Sequence, residues 1–266
     1  MREVARKELE SANHIQSVVK AINILELLAA KGRELSLSEI ARDLEQAKST
    51  VHGILSTLRD YGYVRQSSHT GKYTLGIRLF EIGNKVTAIA DVRTVASPYL
   101  IKLGNEVGET VQLAILDQGE VLYIDKKESQ QSIYIATKIG SRLAPHCSGL
   151  GKVLLSELPV QSRRQLISEK GLVRLTKNTI TDPDKLEQEL ARVREQGYAI
   201  DNEESMNNLR CVAAPIRDHE GKIIAALSVS GPVFRLTDSR VMELAEVVVD
   251  YALQISSALG YRAQSV

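Results

Sequence analysis

No uninterrupted apolar run in this chain approaches the roughly 20 residues that a bilayer-spanning helix needs. The first thirteen residues, Met1 to Asn13, mix Arg, Lys and Glu without the apolar core of a signal peptide or anchor, and read as a flexible arm. There are only two cysteines, Cys147 and Cys211, far apart in the 266 residues. That usage fits reduced thiols and a cytoplasmic address better than a disulfide framework. Internal repeats and low-complexity tracts are absent. Charge of one sign is also scarce: the formal net charge is +1, and residues 1–75 carry 11 Lys/Arg against 9 Asp/Glu. Such a chain is no basic nucleic-acid sponge, so any DNA affinity must rest on a few placed phosphate contacts and on dimerisation.

The common catalytic and metal-binding spacings are missing too. Ser148-Gly149-Leu150-Gly151-Lys152 puts glycines at a helix start, but His146 stands where a Walker loop needs its first glycine and Val153 where it needs Ser or Thr. Leu154 likewise occupies the third glycine position of a dinucleotide fingerprint. No CxxC or HxxxH spacing gathers His146, Cys147, Cys211 and Asp201 into a metal site. His146 beside Cys147 is a poor nucleophile pair, because adjacent residues point different ways on a helix or strand. We assign no catalytic residue, no metal ligand and no cofactor.

What is present is most informative at residues 36–75. Ser36 and Glu39 form a capping box, and Ile40, Ala41 and Leu44 follow on one helical face. After a Glu45-Gln46-Ala47 corner, a second helix is predicted from Lys48 to Asp60. Val51, Leu55 and Leu58 take its buried side, leaving Lys48, Ser49, Thr50, His52, Ser56 and Arg59 on a polar face suited to base edges and phosphates. Gly62 supplies a left-handed stop. Tyr63–Gln66 and Lys72–Leu75 alternate as strands around a turn containing His69, forming a wing. An upstream helix from Ser17 to Ala30, with Val18, Ile22, Leu25 and Leu28 as its apolar stripe, completes a three-helix core. The expected architecture of residues 14–76 is a winged helix-turn-helix. The plainer alternative is a helical hairpin and a β-hairpin with solvated faces.

A helical linker is expected over 77–91, interrupted by Gly83, and an α+β domain over 92–262, an antiparallel sheet flanked by helices. Its helices are predicted from Pro98 to Glu106, Ser148 to Ser156, Asp182 to Gln196 and Thr237 to Leu259. Its strands are predicted at Thr110–Leu116, Glu120–Asp125, Ser132–Thr137, Tyr198–Asp201, Arg210–Pro215 and Lys222–Ser230. The helix start at Gly149 could receive an anion on its free amides or be only a tight turn. Ser228 and Ser230, two apart on a strand, share one face within an apolar run. They need partners if buried, or they bond neighbouring backbone. Cys211 and Asp201 begin and end adjacent strands and could join them in one pocket.

Taken together, the segments Ile40-Ala41, Lys48-Ser49-Thr50-Val51, Tyr61-Gly62-Tyr63-Val64, Lys72-Tyr73-Thr74-Leu75-Gly76, Ser148 to Lys152, Gln196-Gly197-Tyr198, Asp201-Asn202-Glu203-Glu204, Leu209-Arg210-Cys211 and Ser228 to Pro232 resemble the IclR family of bacterial transcription regulators over about Gln16 to Gly260. The resemblance implies a DNA-binding winged helix that recognises a near-palindromic operator. It also implies a GAF-like domain that binds a small organic acid, and a homodimer or a tetramer. Lys48, Ser49, Thr50, His52, Ser56, Arg59, His69 and Lys72 are the expected DNA contacts. For the effector, the resemblance points to Gly149, Leu150, Asp201, Cys211, Ser228 and Ser230, with sugar acids as the subgroup most similar and 2-oxo and aromatic acids behind. Many relatives carry a long side chain where this chain has Gly53. The alternative reading is a metabolite or metal sensor that acts through a protein partner.

Overall fold

The computed structural model describes residues 14–83, 87–131 and 137–262. The expected arm at 1–13 and most of the strand expected at Ser132–Thr137 lie outside these residues. The chain divides into two compact units, Met1–Thr87 and Ala88–Val266.

The first unit is the winged helix. Helix α1 (Gln16–Lys31) is followed by α2 (Leu37–Asp43) and α3 (Lys48–Asp60), then by β1 (Val64–Gln66) and β2 (Tyr73–Leu75), paired antiparallel. The capping box is present: Ser36 Oγ accepts from the Glu39 amide, and the Ser36 amide donates to Glu39 Oε2 at 2.8 Å. This is why α2 begins where it does. Its helix turns into α3 through Glu45, held at φ 53°. Leu35 joins the wing as a third short rung, exchanging backbone hydrogen bonds with Tyr73. The core comprises Ile24, Leu28, Leu35, Ile40, Ala41, Val51, Leu55, Val64 and Tyr73. On α1 the stripe differs from expectation. Ile24 and Leu28 are buried while Val18 and Ile22 are about half exposed, because apolar residues on this helix exceed one face and packing selects the Ile24 side.

A short helix α4 (Arg78–Gly83) ends this unit, and α5 (Thr87–Val107) opens the second. Pro98 lies inside α5 rather than at a helix start, which corrects the sequence reading. The ring is on the exposed side, opposite the buried Val92, Ala96, Leu100 and Leu103. There the carbonyl that loses its partner can turn to water. Strands β3 (Thr110–Asp117), β4 (Glu120–Lys127), β5 (Arg142–Leu143), β6 (Ala199–Asn202), β7 (Leu209–Arg217) and β8 (Ile223–Pro232) form one antiparallel sheet in the order β5-β4-β3-β8-β7-β6. Gln118 and Gly119 both have positive φ, as the two-residue turn between β3 and β4 requires.

One face of the sheet packs on α5 and the long C-terminal helix α9 (Asp238–Ala258), with Val111, Leu113, Val212, Leu227 and Val229 in the core. The other face is covered by α6 (Gly149–Ser156), backed by α8 (Pro183–Gln196). Helix α7 (Val160–Lys170) was not expected from the sequence. Its one fully buried side chain is Arg163, which pairs with Glu187 on α8 at 2.6 Å, and its inward apolar residues are the adjacent Leu166 and Ile167, half-buried against Leu155, Leu186 and Leu190, too few and too close in sequence to read as a stripe.

Candidate functional site

The register of the sheet builds one site. Asp201 pairs with Cys211, Cys211 with Ser230 and Ser230 with Thr110, a row across β6, β7, β8 and β3. The row two residues along is Ala199, Ala213, Ser228 and Gln112. Opposed residues on antiparallel strands project to the same side, as do residues two apart on one strand. All these side chains therefore face α6. Small residues let that helix approach closely: a Cβ on Gly149 would stand 3.3 Å from Ala213 Cβ, and one on Gly151 would stand 2.1 Å from the Pro145 carbonyl oxygen. Gly151 is thus required by packing. Ser148 caps the helix, its Oγ accepting from the Gly151 amide at 3.1 Å. The amides of Gly149 and Leu150, in the first turn, have no intrahelical acceptor.

A cavity of about 430 Å³ lies at this end of the helix. All six residues expected at an effector site, Gly149, Leu150, Asp201, Cys211, Ser228 and Ser230, line it. So do Gln112, Tyr123, Leu143, Ser205, Met206 and Leu209, which the sequence reading did not single out. A signal existed for Gln112, a lone amide in the apolar run Thr110 to Leu116. None existed for Leu143, on a strand of two residues.

Hydrogen bonding divides the lining into used and unused groups. Ser230 Oγ donates to Gln112 Oε1 at 3.2 Å, and Gln112 Nε2 donates to Thr137 Oγ1. Asp201 Oδ1 accepts from the amides of Glu204, at 2.7 Å, and Ser205, at 3.4 Å, while Oδ2 accepts from Ser205 Oγ at 2.5 Å. Most of the accepting capacity of Asp201 is thus spent on shaping the loop after β6. Ser228 Oγ, by contrast, is buried and has no partner.

Beneath the site, the buried Lys152 spends its three protons on Glu204 Oε1 at 2.6 Å, Glu189 Oε1 at 3.1 Å and the Ile200 carbonyl at 2.5 Å. Burial pushes the carboxyls of Asp201 and Glu204 above their ordinary range, against the nearby Lys152 charge. Burial also raises both thiols, Cys147 to about 12 and Cys211 well above its ordinary value. At neutral pH they are thiols, the less nucleophilic form. His146 is buried too, with Nε2 at 3.0 Å from the Val173 carbonyl. Among the described residues no three His, Cys, Asp or Glu side chains come together to hold a metal, and no helix is long and apolar enough to cross a membrane.

In the first unit, Lys48, Ser49, His52 and Arg59 are exposed on α3, with Thr50 and Ser56 half-buried. Arg59 is tethered: its guanidinium donates to Asp60 Oδ1, Ser56 Oγ and Gln66 Oε1. A Cβ added at Gly53 would meet nothing within 4 Å. His69 lies exposed at the wing turn, apart from α3, and Lys72 half-buried beside it. That turn is fixed by Thr70 Oγ1 donating to Glu34 Oε2 at 2.8 Å. Arg65, exposed on β1, is a further cation that the sequence reading passed over.

Comparison with known proteins decides the family. The IclR helix-turn-helix domain matches residues 17–68, and the bacterial transcriptional regulator IclR C-terminal domain matches residues 84–257. The chain belongs to the IclR family. It is similar to the HTH-type transcriptional regulator XynR of Escherichia coli, 38% identical over 249 residues that cover 94% of this chain and 99% of that protein. It is also similar to the acetate operon repressor of Salmonella typhimurium, 36% identical over 92% of this chain and 90% of the relative. Among solved structures, Thermotoga maritima IclR superposes with a TM-score of 0.80 at 32% identity, covering 93% of this chain and all of that one. An IclR homolog from Microbacterium hydrocarbonoxydans, complexed with 4-hydroxybenzoate, gives 0.83 at 28% identity, covering 91% and 98%. This IclR-family chain is a DNA-binding transcription regulator, and these relatives are regulators, not enzymes.

Proposed function

We propose that this regulator responds to a small organic acid bound in the cavity beside α6 and controls a catabolic operon from the cytoplasm. The observation that carries the reading is the convergence of Gly149, Leu150, Asp201, Cys211, Ser228 and Ser230 on one cavity. An acid's carboxylate fits its unused groups: two first-turn amides at the positive end of a helix and the unpartnered Ser228 hydroxyl. Two relatives accord with this. One is named for the acetate operon it represses, and another was crystallised with 4-hydroxybenzoate.

On DNA, the N-terminal turn of α3 enters the major groove, with Ser49, Thr50 and His52 reading bases. Lys48, Ser56, Arg59, His69 and Lys72 contact the backbone. Two copies in a homodimer, or four in a tetramer, engage half-sites about one helical turn apart in a near-palindromic operator. The acid acts by binding one arrangement of the subunits more tightly than the other.

The test is selection from a random DNA library, followed by anisotropy on the enriched sequence at several salt concentrations with and without a panel of acids. Enrichment of a near-palindrome, a steep salt slope and a shift of affinity with acid support the proposal. Operator binding that no acid alters removes the effector half of it.

A further inference from the structure

Beneath the cavity, three carboxyls gather around one lysine. Lys152 of α6, 1% exposed, donates to Glu204 Oε1, Glu189 Oε1 and the Ile200 carbonyl. Glu189, on α8, offers its other oxygen to Arg192 at 3.2 Å on the surface. That leaves Asp201 and Glu204, both buried, to be balanced by the single ammonium. With both ionised, one charge in the interior is uncompensated, and a bound proton removes it.

Hydrogen bonding places that proton. Asp201 accepts on both oxygens, from two amides and the Ser205 hydroxyl, which is the environment of an ionised carboxylate. Glu204 accepts on Oε1 only, from Lys152 at 2.6 Å and the Asn202 amide at 3.5 Å, and its Oε2 is buried without a partner. An anionic oxygen with no donor costs more in an apolar interior than a neutral hydroxyl in the same place. The other titratable groups facing this pair among the described residues are Cys147 before α6, Cys211 on β7 and Tyr123 on β4, all kept neutral by burial.

Glu204 also fixes the loop between β6 and β7. Its amide donates to Asp201 Oδ1, its carbonyl accepts from Thr179 Oγ1 at 2.7 Å, and the neighbouring Glu203 carbonyl accepts from Thr176 Oγ1 at 2.6 Å. From there the loop carries Ser205 and Met206 to the cavity. Ionisation of Glu204 would set two poorly screened carboxylates against each other at the turn that its amide closes.

We infer that Glu204 holds a proton on Oε2 at neutral pH and, with Lys152, positions the loop lining the cavity, so that loss of this proton loosens the loop. Glu204 is thus a positioning residue that senses pH. The inference holds for any occupant of the cavity.

Infrared spectroscopy of the full-length protein, with carbon-13 in the side-chain carboxyl of glutamate, tests the proton at a pH where exposed carboxyls are ionised. A neutral-carboxyl band that shifts with the label and is lost in Glu204→Gln is expected. Absence of a neutral-carboxyl band from the parent, or its persistence in the variant, overturns the inference. A band that ignores the label does so too, by putting the proton on Asp201. The label measurement needs no variant. Glu204→Gln copies the neutral acid and keeps an acceptor for Lys152, so its loop should stay closed. Once Glu204 ionises, hydrogen exchange of residues 203–206 in the parent should therefore accelerate by about tenfold per pH unit beyond the rise seen in the variant. Operator binding shows that the variant folds. Equal pH dependence of exchange in the two proteins would remove the positioning role.

Discussion

Ser228 and Ser230 have unlike surroundings although they share a strand face: Ser230 donates to Gln112, and Ser228 has no partner. Changing both to Ala should abolish the response of operator affinity to the acid and leave affinity without acid nearly intact, as anisotropy titrations will show. Asp201 lends itself to a pH test. Burial raises its carboxyl in the folded state. Its contribution to stability is therefore full below the unfolded value of 3.8 and is lost as pH rises through the folded one. Asp201→Asn keeps an acceptor for the Glu204 amide and removes that loss. Relative to the parent, its denaturation midpoint should rise as pH increases above 3.8, and equal slopes for the two proteins would contradict the assignment. At this scale the sequence was legible where chemistry is carried by polar residues in apolar runs, as at Ser228, or by the family resemblance. It was silent on Leu143 and Met206, whose apolar side chains look like any others until the short strand β5 and the loop after β6 bring them to one cavity. It also could not show that Asp201 is mostly occupied by its own loop.

Among the elements, α2 and α3 were readable almost to the residue because local signals mark their ends. The capping box is the clearest, and Ser36→Ala should cost about 1 kcal/mol, measurable by denaturant titration. Hydrogen bonds from the Ser36 amide and hydroxyl hold the Glu39 carboxyl down at about 2, against 4.5 for the free group. That contribution is present in full above pH 4.5 and disappears as pH falls toward 2, so Glu39→Gln should flatten the acid limb of the stability curve of this unit. Gly53 is the opposite case, a weak point inside α3. Gly53→Ala meets no atom and should stabilise the unit by up to about 1 kcal/mol, raising its melting temperature. The misread elements share a cause. Pro98 suggests a helix start, yet tertiary packing carries α5 through it because the ring faces solvent. Helix α7 gives little periodic signal because its inward side chains are one arginine, Arg163 paired with Glu187, and two adjacent apolar residues, Leu166 and Ile167, rather than a stripe.

Over the whole molecule, the two units build their cores from separate stretches of chain, the first around Leu55 and the second on both faces of the six-stranded sheet. Leu55→Ala, at a fully buried position, should cost about 2–5 kcal/mol. Two calorimetric transitions are expected, and only one of them should move in this variant; a shift of both by the same amount would show the units to unfold as one. That the chain comprises a small and a larger domain was evident from length and from the change of pattern after the wing. The sheet order β5-β4-β3-β8-β7-β6 was not, since local patterns name strands without saying which neighbours they choose. The open position at Gly53 has a longer-term consequence. A single codon change there can install a long side chain on the exposed face of α3 without disturbing any packed neighbour. A duplicated copy of this gene could thus drift toward a different set of promoters while its sensory half stayed as inherited, which gives natural selection a short route to a new circuit.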